Sequence, residues 1–233
     1  MTEPLLLIPG LACDARVMLA QMLAVGADCS VQVALPTQGQ TVEVISQAVL
    51  DAAPARFALM GQGLGGLVAL DLIRRAPERV TRLILSATDP LPEDPKVAAD
   101  REGRMVAARA GRLGEMIGLE VTLADTSDAP LVLALLRDMA FELGEGIYLR
   151  QSRALQRRPD QQKTLRKAAM PALLFAGAAD RIVTPRRMEF MASLMPRATL
   201  HVIAGAGSLP TIEAPDAVNA ALLAFLAEPL LLR

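Results

Sequence analysis

Between Phe57 and Leu70 the chain reads Phe-Ala-Leu-Met-Gly-Gln-Gly-Leu-Gly-Gly-Leu-Val-Ala-Leu, an apolar strand that runs into a tight glycine turn and then a helix. A serine at the centre of a G-x-S-x-G turn of this kind is pushed above a sheet, where its hydroxyl can attack a carbonyl. The central residue here is Gly63, which carries no hydroxyl. Further along, Asp180 sits in Ala176-Gly177-Ala178-Ala179-Asp180-Arg181, and Ser208 in Gly205-Ala206-Gly207-Ser208-Leu209-Pro210. Each follows a strand-like run. Acyl transfer through a covalent intermediate needs a nucleophile and an imidazole that takes its proton and returns it to the leaving group. Of such a set, only an aspartate stands at these three positions.

The other residues with reactive side chains offer less. Cys13 and Cys29 lack metal-ligand spacing and read as reduced structural thiols, although Cys13 lies just after the Pro9-Gly10-Leu11 loop. The single histidine, His201, falls in Thr199-Leu200-His201-Val202-Ile203 and reads as a strand-face residue. Gly61, Gly63 and Gly66 satisfy a G-x-G-x-x-G dinucleotide spacing, but Asp71 lies within the following helix. The acid of such a fingerprint belongs about 20 residues on, at a strand end. Neither a metal site nor a cofactor is expected.

These positions must be held by a framework, and the chain supplies one in alternation. Leu5 to Ile8, Val31 to Ala34, Phe57 to Met60, Leu83 to Ser86, Ala172 to Ala176 and Ala198 to Ile203 read as strands. Between them, Thr41 caps a helix with Val42, Ile45, Val49 and Ala52 on one face, and Pro185 and Pro215 open two more helices. That order predicts βαβ units around a mostly parallel, doubly wound sheet. From Asp89 to Ala169 strand signals vanish and Arg, Glu, Ala, Leu and Met recur at helical spacing. We therefore expect a core of residues 1–90 and 169–233, with residues 91–168 as a helical cap over the strand ends. Ordinary crossover helices are the alternative. Arg153, Arg157, Arg158, Lys163, Arg166 and Lys167 are expected on a solvated face of the cap.

Composition narrows the partners. Hydrophobic residues make up 52% and 24 basic side chains balance 25 acidic ones, so one sizeable core is expected and no bias toward nucleic acid or anionic membrane. The apolar runs Leu5 to Ile8 and Leu230 to Leu232 are too short to cross a bilayer, and no secretory leader is evident, so a cytoplasmic protein is expected. With aromatic content at 3%, a stacking platform is not expected. Abundant Leu, Met, Val and Ala suggest a largely apolar small-molecule pocket, with Met105, Met116, Met139 and Met188 as candidate lining residues.

With these motifs placed, the chain resembles a small α/β-hydrolase over nearly its whole length. Leu7-Ile8-Pro9-Gly10-Leu11-Ala12-Cys13-Asp14 is similar to that family's first oxyanion loop. The resemblance implies that the N–H of Leu11 or Ala12, together with that of Leu64 after the elbow, would hold a developing oxyanion. It makes Gly63 the nucleophile position, Asp180 the triad acid and Ser208 the histidine position, while Gln62 stands where a histidine often precedes the serine. Ala12, Gln62, Met105 and Met139 are the expected ligand contacts. Three readings follow. The protein binds a small apolar or acyl-type ligand without ordinary ester hydrolysis; or it is a lyase, isomerase or cyclase using Asp180 and the oxyanion hole; or it is a disabled form of an ester, thioester or carbon–carbon hydrolase.

An elbow holds its central residue in a sparsely allowed backbone conformation that glycine largely tolerates. Gly63→Ser is therefore expected to lower the unfolding free energy by about 1–3 kcal/mol in denaturant melts. A neutral or stabilising result would mean that position 63 is not in such a turn.

Overall fold

The computed structural model describes residues 3–229; the apolar run Leu230 to Leu232 lies outside them. Six strands form one sheet: β1 (Leu5–Ile8), β2 (Val31–Val33), β3 (Phe57–Gln62), β4 (Val80–Ser86), β5 (Ala172–Gly177) and β6 (Ala198–Ile203). Their order is β2-β1-β3-β4-β5-β6, and every neighbouring pair is parallel. The expected α/β architecture is the one observed. Strand alternation divides the core in two. Leu5, Leu7, Ala58, Met60, Ile84, Leu173 and Phe175 face one layer, and Leu6, Ile8, Phe57, Leu59, Leu83, Leu85 and Leu174 the other. Both faces are covered by helices, which is why the central strands are near-continuous apolar runs.

The first layer holds α1 (Leu19–Val25), the short α10 (Pro210–Glu213) and α11 (Pro215–Ala227), and the second α2 (Val42–Ala52), α3 (Leu64–Arg75) and α9 (Pro185–Leu194). Thr41 caps α2 by accepting from the Val44 N–H, as its sequence predicts. Asp71 is buried on α3. It accepts from the Ser46 hydroxyl of α2 and from Arg74 and Arg75, so the aspartate at the doubtful fingerprint position fastens one helix to another. No described helix is long and apolar enough to cross a membrane.

Between β4 and β5 run α4 (Pro95–Ala107), α5 (Leu113–Leu119), α6 (Ala129–Leu143), α7 (Glu145–Gln156) and α8 (Gln162–Lys167). The last of these contacts α3, and its Leu165 is buried in the second core layer. Helix α8 is thus a crossover helix of the core, while α4 to α7 bring buried side chains such as Met105, Met116, Met139 and Tyr148 into the first layer.

A buried ion network ties the cap segments together. Glu93, on the loop entering α4, pairs with Arg101 at 2.9 Å and with Arg158 at 2.7 Å. Glu120, after α5, pairs with Arg101 at 3.0 Å and with Arg104 at 3.1 Å, and accepts from the Tyr148 hydroxyl of α7. Arg158, expected on a solvated face, is instead largely buried, because its guanidinium is held by the Leu91 carbonyl and the Glu93 carboxylate.

Burial alone would raise the Glu93 carboxyl, but the hydrogen bonds and charge of Arg101 and Arg158 outweigh it and hold Glu93 below its ordinary value of 4.5. A depressed carboxylate contributes stability above its unfolded pKa and loses it as pH falls through the lower folded value. Glu93→Gln should therefore cost on the order of 3 kcal/mol near neutral pH, since removing one partner leaves buried arginine charge uncompensated. Urea melts of the two proteins should converge once the pH is well below 4.5. A cost that persists undiminished in acid would show that charge is not its source.

Candidate functional site

All six strands point the same way, so the loops after β1, β3, β4, β5 and β6 leave one edge of the sheet, and the strand order reverses around β1. In open parallel sheets a crevice for ligands forms at such an edge. Here the edge and the cap enclose a cleft of about 740 Å³. It is lined by Leu11 after β1, by Gln62 at the end of β3 and Gly63 and Leu64 just after it, by Asp180 after β5 and by Ser208 after β6. The structure thus brings the elbow, the acid loop and the terminal loop into one cleft.

Gly63 has φ 53° and ψ −114°, and α3 begins at the next residue. The positive φ is one that residues with a Cβ rarely adopt. A Cβ at this position would nonetheless meet nothing closer than 4.0 Å, from the Ala87 carbonyl and the Gly10 Cα. The turn is strained for a side chain but has room for one. Gly65, the second residue of α3, is different. A Cβ there would run into the Ile8 and Pro9 carbonyls, so its absence is what allows α3 to approach β1 so closely.

Asp180 is 3% exposed. Its Oδ1 accepts from the Ile182 and Val183 N–H groups and, at 2.9 Å, from the Ser208 hydroxyl. Burial raises this carboxyl against the lowering effect of those three hydrogen bonds. Ser208 Oγ also accepts from the Thr122 N–H at 2.9 Å, while the Ser208 N–H donates to the Thr122 carbonyl at 2.7 Å. Ser208 therefore bonds to Asp180 and at the same time clamps the terminal loop to the cap. Glu213 reinforces the clamp by accepting from the N–H groups of Leu209 and Ala124. His201, the chain's one histidine, lies exposed on edge strand β6.

The remaining expected contacts divide. Gln62 lines the cleft, and its Oε1 accepts from the Thr211 hydroxyl. The Ala12 N–H, one of two candidates for an oxyanion donor, is already taken by Gln151 Oε1 at 2.7 Å. That leaves Leu11 beside Leu64 on the cleft wall. Met105 and Met139 do not line the cleft. Both are buried in the first core layer, and Met139 Sδ accepts from the Asp14 N–H. At helical spacing these methionines serve as packing under the cap.

The wall facing the sheet edge is also more charged than the composition suggested, since Arg101, Arg104, Arg158, Glu93 and Glu120 all border it. Cys13 lines the cleft as well, but burial, aided by the Asp14 charge, pushes its thiol up to about 12. It stays protonated at neutral pH and is a poor nucleophile. Thr122, Gln151, Thr211 and Glu213 were not evident as site residues, because none carries a local signal and their partners lie 86 to 149 residues away, or four in the case of Leu209. Among the described residues, no group of three or more His, Cys, Asp or Glu side chains is placed to hold a metal ion.

The family described as serine aminopeptidase, S33 matches residues 40–207. Among curated proteins, a pimeloyl-[acyl-carrier protein] methyl ester esterase of Neisseria meningitidis is 30% identical over 189 residues, covering 77% of this chain and 73% of its own. One of the same description from Aromatoleum aromaticum is 29% identical, covering 78% of each. Among solved structures, a thermophilic esterase from Thermogutta terrifontis is similar with a TM-score of 0.84 and 26% identity, over 96% of this chain and 89% of that one. The sheet, the cap and the sequence match agree, and the chain belongs to the α/β-hydrolase family described as serine aminopeptidase, S33.

Proposed function

We propose that this protein is a disabled ester hydrolase that keeps an acyl-ligand cleft but does not turn esters over through an acyl-enzyme. The observation that carries the reading is the pair of groups at the covalent centre. Gly63 has the elbow backbone without an attacking atom, and Ser208 holds the acid's hydrogen bond without being a base. A serine hydroxyl bonded to Asp180 and to the Thr122 N–H does not itself titrate near neutral pH, so it cannot take and return a proton as an imidazole does. The cleft volume lies within the range of small-molecule sites, roughly 300–1,000 Å³. The ester-hydrolysing relatives support an acyl-type ligand, with the N–H groups of Leu11 and Leu64 facing its carbonyl oxygen. Because charged side chains border the cap wall, the ligand need not be apolar along its whole length.

The test is reconstruction. Gly63→Ser combined with Ser208→His places a hydroxyl where there is room for it and an imidazole N–H where Ser208 now donates to Asp180. This double variant is expected to hydrolyse activated short-chain esters and to be labelled by a fluorophosphonate at position 63. The wild-type protein should show at most the advantage left to enzymes without a triad, roughly 10³-fold over water. Stoichiometric fluorophosphonate labelling of the wild type would overturn the reading.

A second reading draws on Asp180 itself, which is buried at the cleft with its pKa raised by desolvation. Such a carboxylate is a stronger base than an exposed one and suits proton abstraction beside an oxyanion hole. On this reading the protein exchanges the α-protons of an enolisable thioester or lactone for deuterium, and Asp180→Asn abolishes the exchange while changing affinity only a few fold. Exchange that survives the substitution would exclude Asp180 as the base.

A further inference from the structure

Six ion pairs on the cleft wall join seven side chains into one line of alternating charge, from Arg104 through Glu120, Arg101, Glu93, Arg158 and Asp89 to Arg187. All seven border the cleft, and the line runs from α4 of the cap to the first turn of α9 in the core. It begins and ends on an arginine. Four guanidinium groups meet three carboxylates, so one positive charge in the line is not offset within it. The four pairs from Arg104 to Arg158 are 2.7 to 3.1 Å long. The two on Asp89 are looser. Its Oδ2 faces Arg158 Nη2 and its Oδ1 faces Arg187 Nε, each at 3.7 Å, which is too long for a hydrogen bond.

The surplus charge is therefore free at the Asp89 end. Among the described residues the Arg187 guanidinium makes no hydrogen bond, and its side chain is 38% exposed against 18% for Arg104 at the other end. Arg181, on the acid loop, is exposed on the same lining and has neither a hydrogen bond nor an ion pair among the described residues. The remaining carboxylates of the lining do not compete for these arginines. Asp94 and Asp100 are exposed and form no ion pair, and Asp180 accepts from its own loop and from Ser208.

A guanidinium offers five donors in a planar fork that fits a carboxylate at two points. Within a cleft such a charge acts more strongly than on an open surface. One surplus positive charge matches a monoanion, whereas a phosphate monoester, with about two negative charges at neutral pH, exceeds it. We propose that the Asp89–Arg187 end of the cleft, with Arg181 beside it on the lining, is a subsite for a carboxylate carried at the end of an acyl ligand remote from its ester carbonyl. The ligand class is then a half-ester of a dicarboxylic acid. Its ester carbonyl faces the Leu11 and Leu64 N–H groups and its carboxylate faces Arg187. This rests on the reading of the cleft as an acyl-ligand site and specifies the charge of the ligand's other end.

The experiment is calorimetric titration of the full chain near neutral pH with monomethyl suberate, dimethyl suberate and the methyl ester of an ω-amino acid of the same length. These share the methyl ester and differ in the charge of the far end. The half-ester is expected to bind about tenfold or more tighter than the neutral diester, with the amine weakest. Arg187→Gln, at an exposed side chain, should bring half-ester and diester within about threefold of each other. Asp89→Asn keeps an oxygen to accept from the Leu91 N–H but removes the competing charge, so it should tighten the half-ester severalfold and leave the diester unchanged. An Asp89–Arg187 pair that serves only to hold α9 would not produce that gain. Equal binding of half-ester and diester by the wild type, or a preference that survives Arg187→Gln, would overturn the subsite while leaving the acyl-ligand cleft in place. Binding of none of the three would overturn the underlying reading and the subsite with it.

Discussion

The constraint on which the site depends is the parallel direction of all six strands. A parallel pair cannot be closed by a hairpin, so each strand must be followed by a crossover that returns the chain to the opposite edge. Every loop that leaves a strand's C-terminal end therefore emerges on the same side. Gly63, Asp180 and Ser208 are far apart in sequence and meet because each lies just beyond such an end. The apolar strand runs that cover both faces of the sheet and the polar residues at its edge are two consequences of the same arrangement.

Gly63 and Ser208 are held in place in different ways. At position 63 the backbone has a positive φ that glycine tolerates and most residues do not, and space remains for a side chain. The fold holds the turn through its surroundings: Gly65 lets α3 close on β1, and the Gly63 N–H donates to the Ser86 carbonyl on β4. At position 208 the side chain has a structural use. Its hydroxyl joins the acid loop to the cap, and the backbone bonds of Ser208 to Thr122 make the terminal loop and the cap segment one unit. The first position could be refilled without disturbing its neighbours, whereas the second now takes part in holding the cap in place.

The cap adds a different kind of order. Its helices bury methionines and Tyr148 beneath them, and they are also linked by the arginines and glutamates around Arg101. Buried ion pairs are weak as a source of net stability but specific in geometry, since each charge accepts few alternative partners. Placed on the cleft wall, that network holds the cap segments to one another and makes one side of the cleft polar.

The sequence by itself determined the alternation of strands and helices, the elbow with glycine at its centre, and the three loops that converge on the site. These are local signals: apolar runs of strand length, prolines at helix starts, and glycines where the backbone turns or packs closely. It also placed Asp71 inside a helix and so weighed against a dinucleotide fold. Only the tertiary structure decided that the Ala12 N–H of the first loop is occupied, because Gln151 reaches it across 139 residues. It likewise decided that Met105 and Met139 pack under the cap, that Arg158 is buried, and that Thr122 clamps Ser208. The physical reason is the same in each case. Hydrogen-bond partners and burial are properties of pairs brought together by the fold, and a methionine or arginine at helical spacing carries no mark of the face its helix will present.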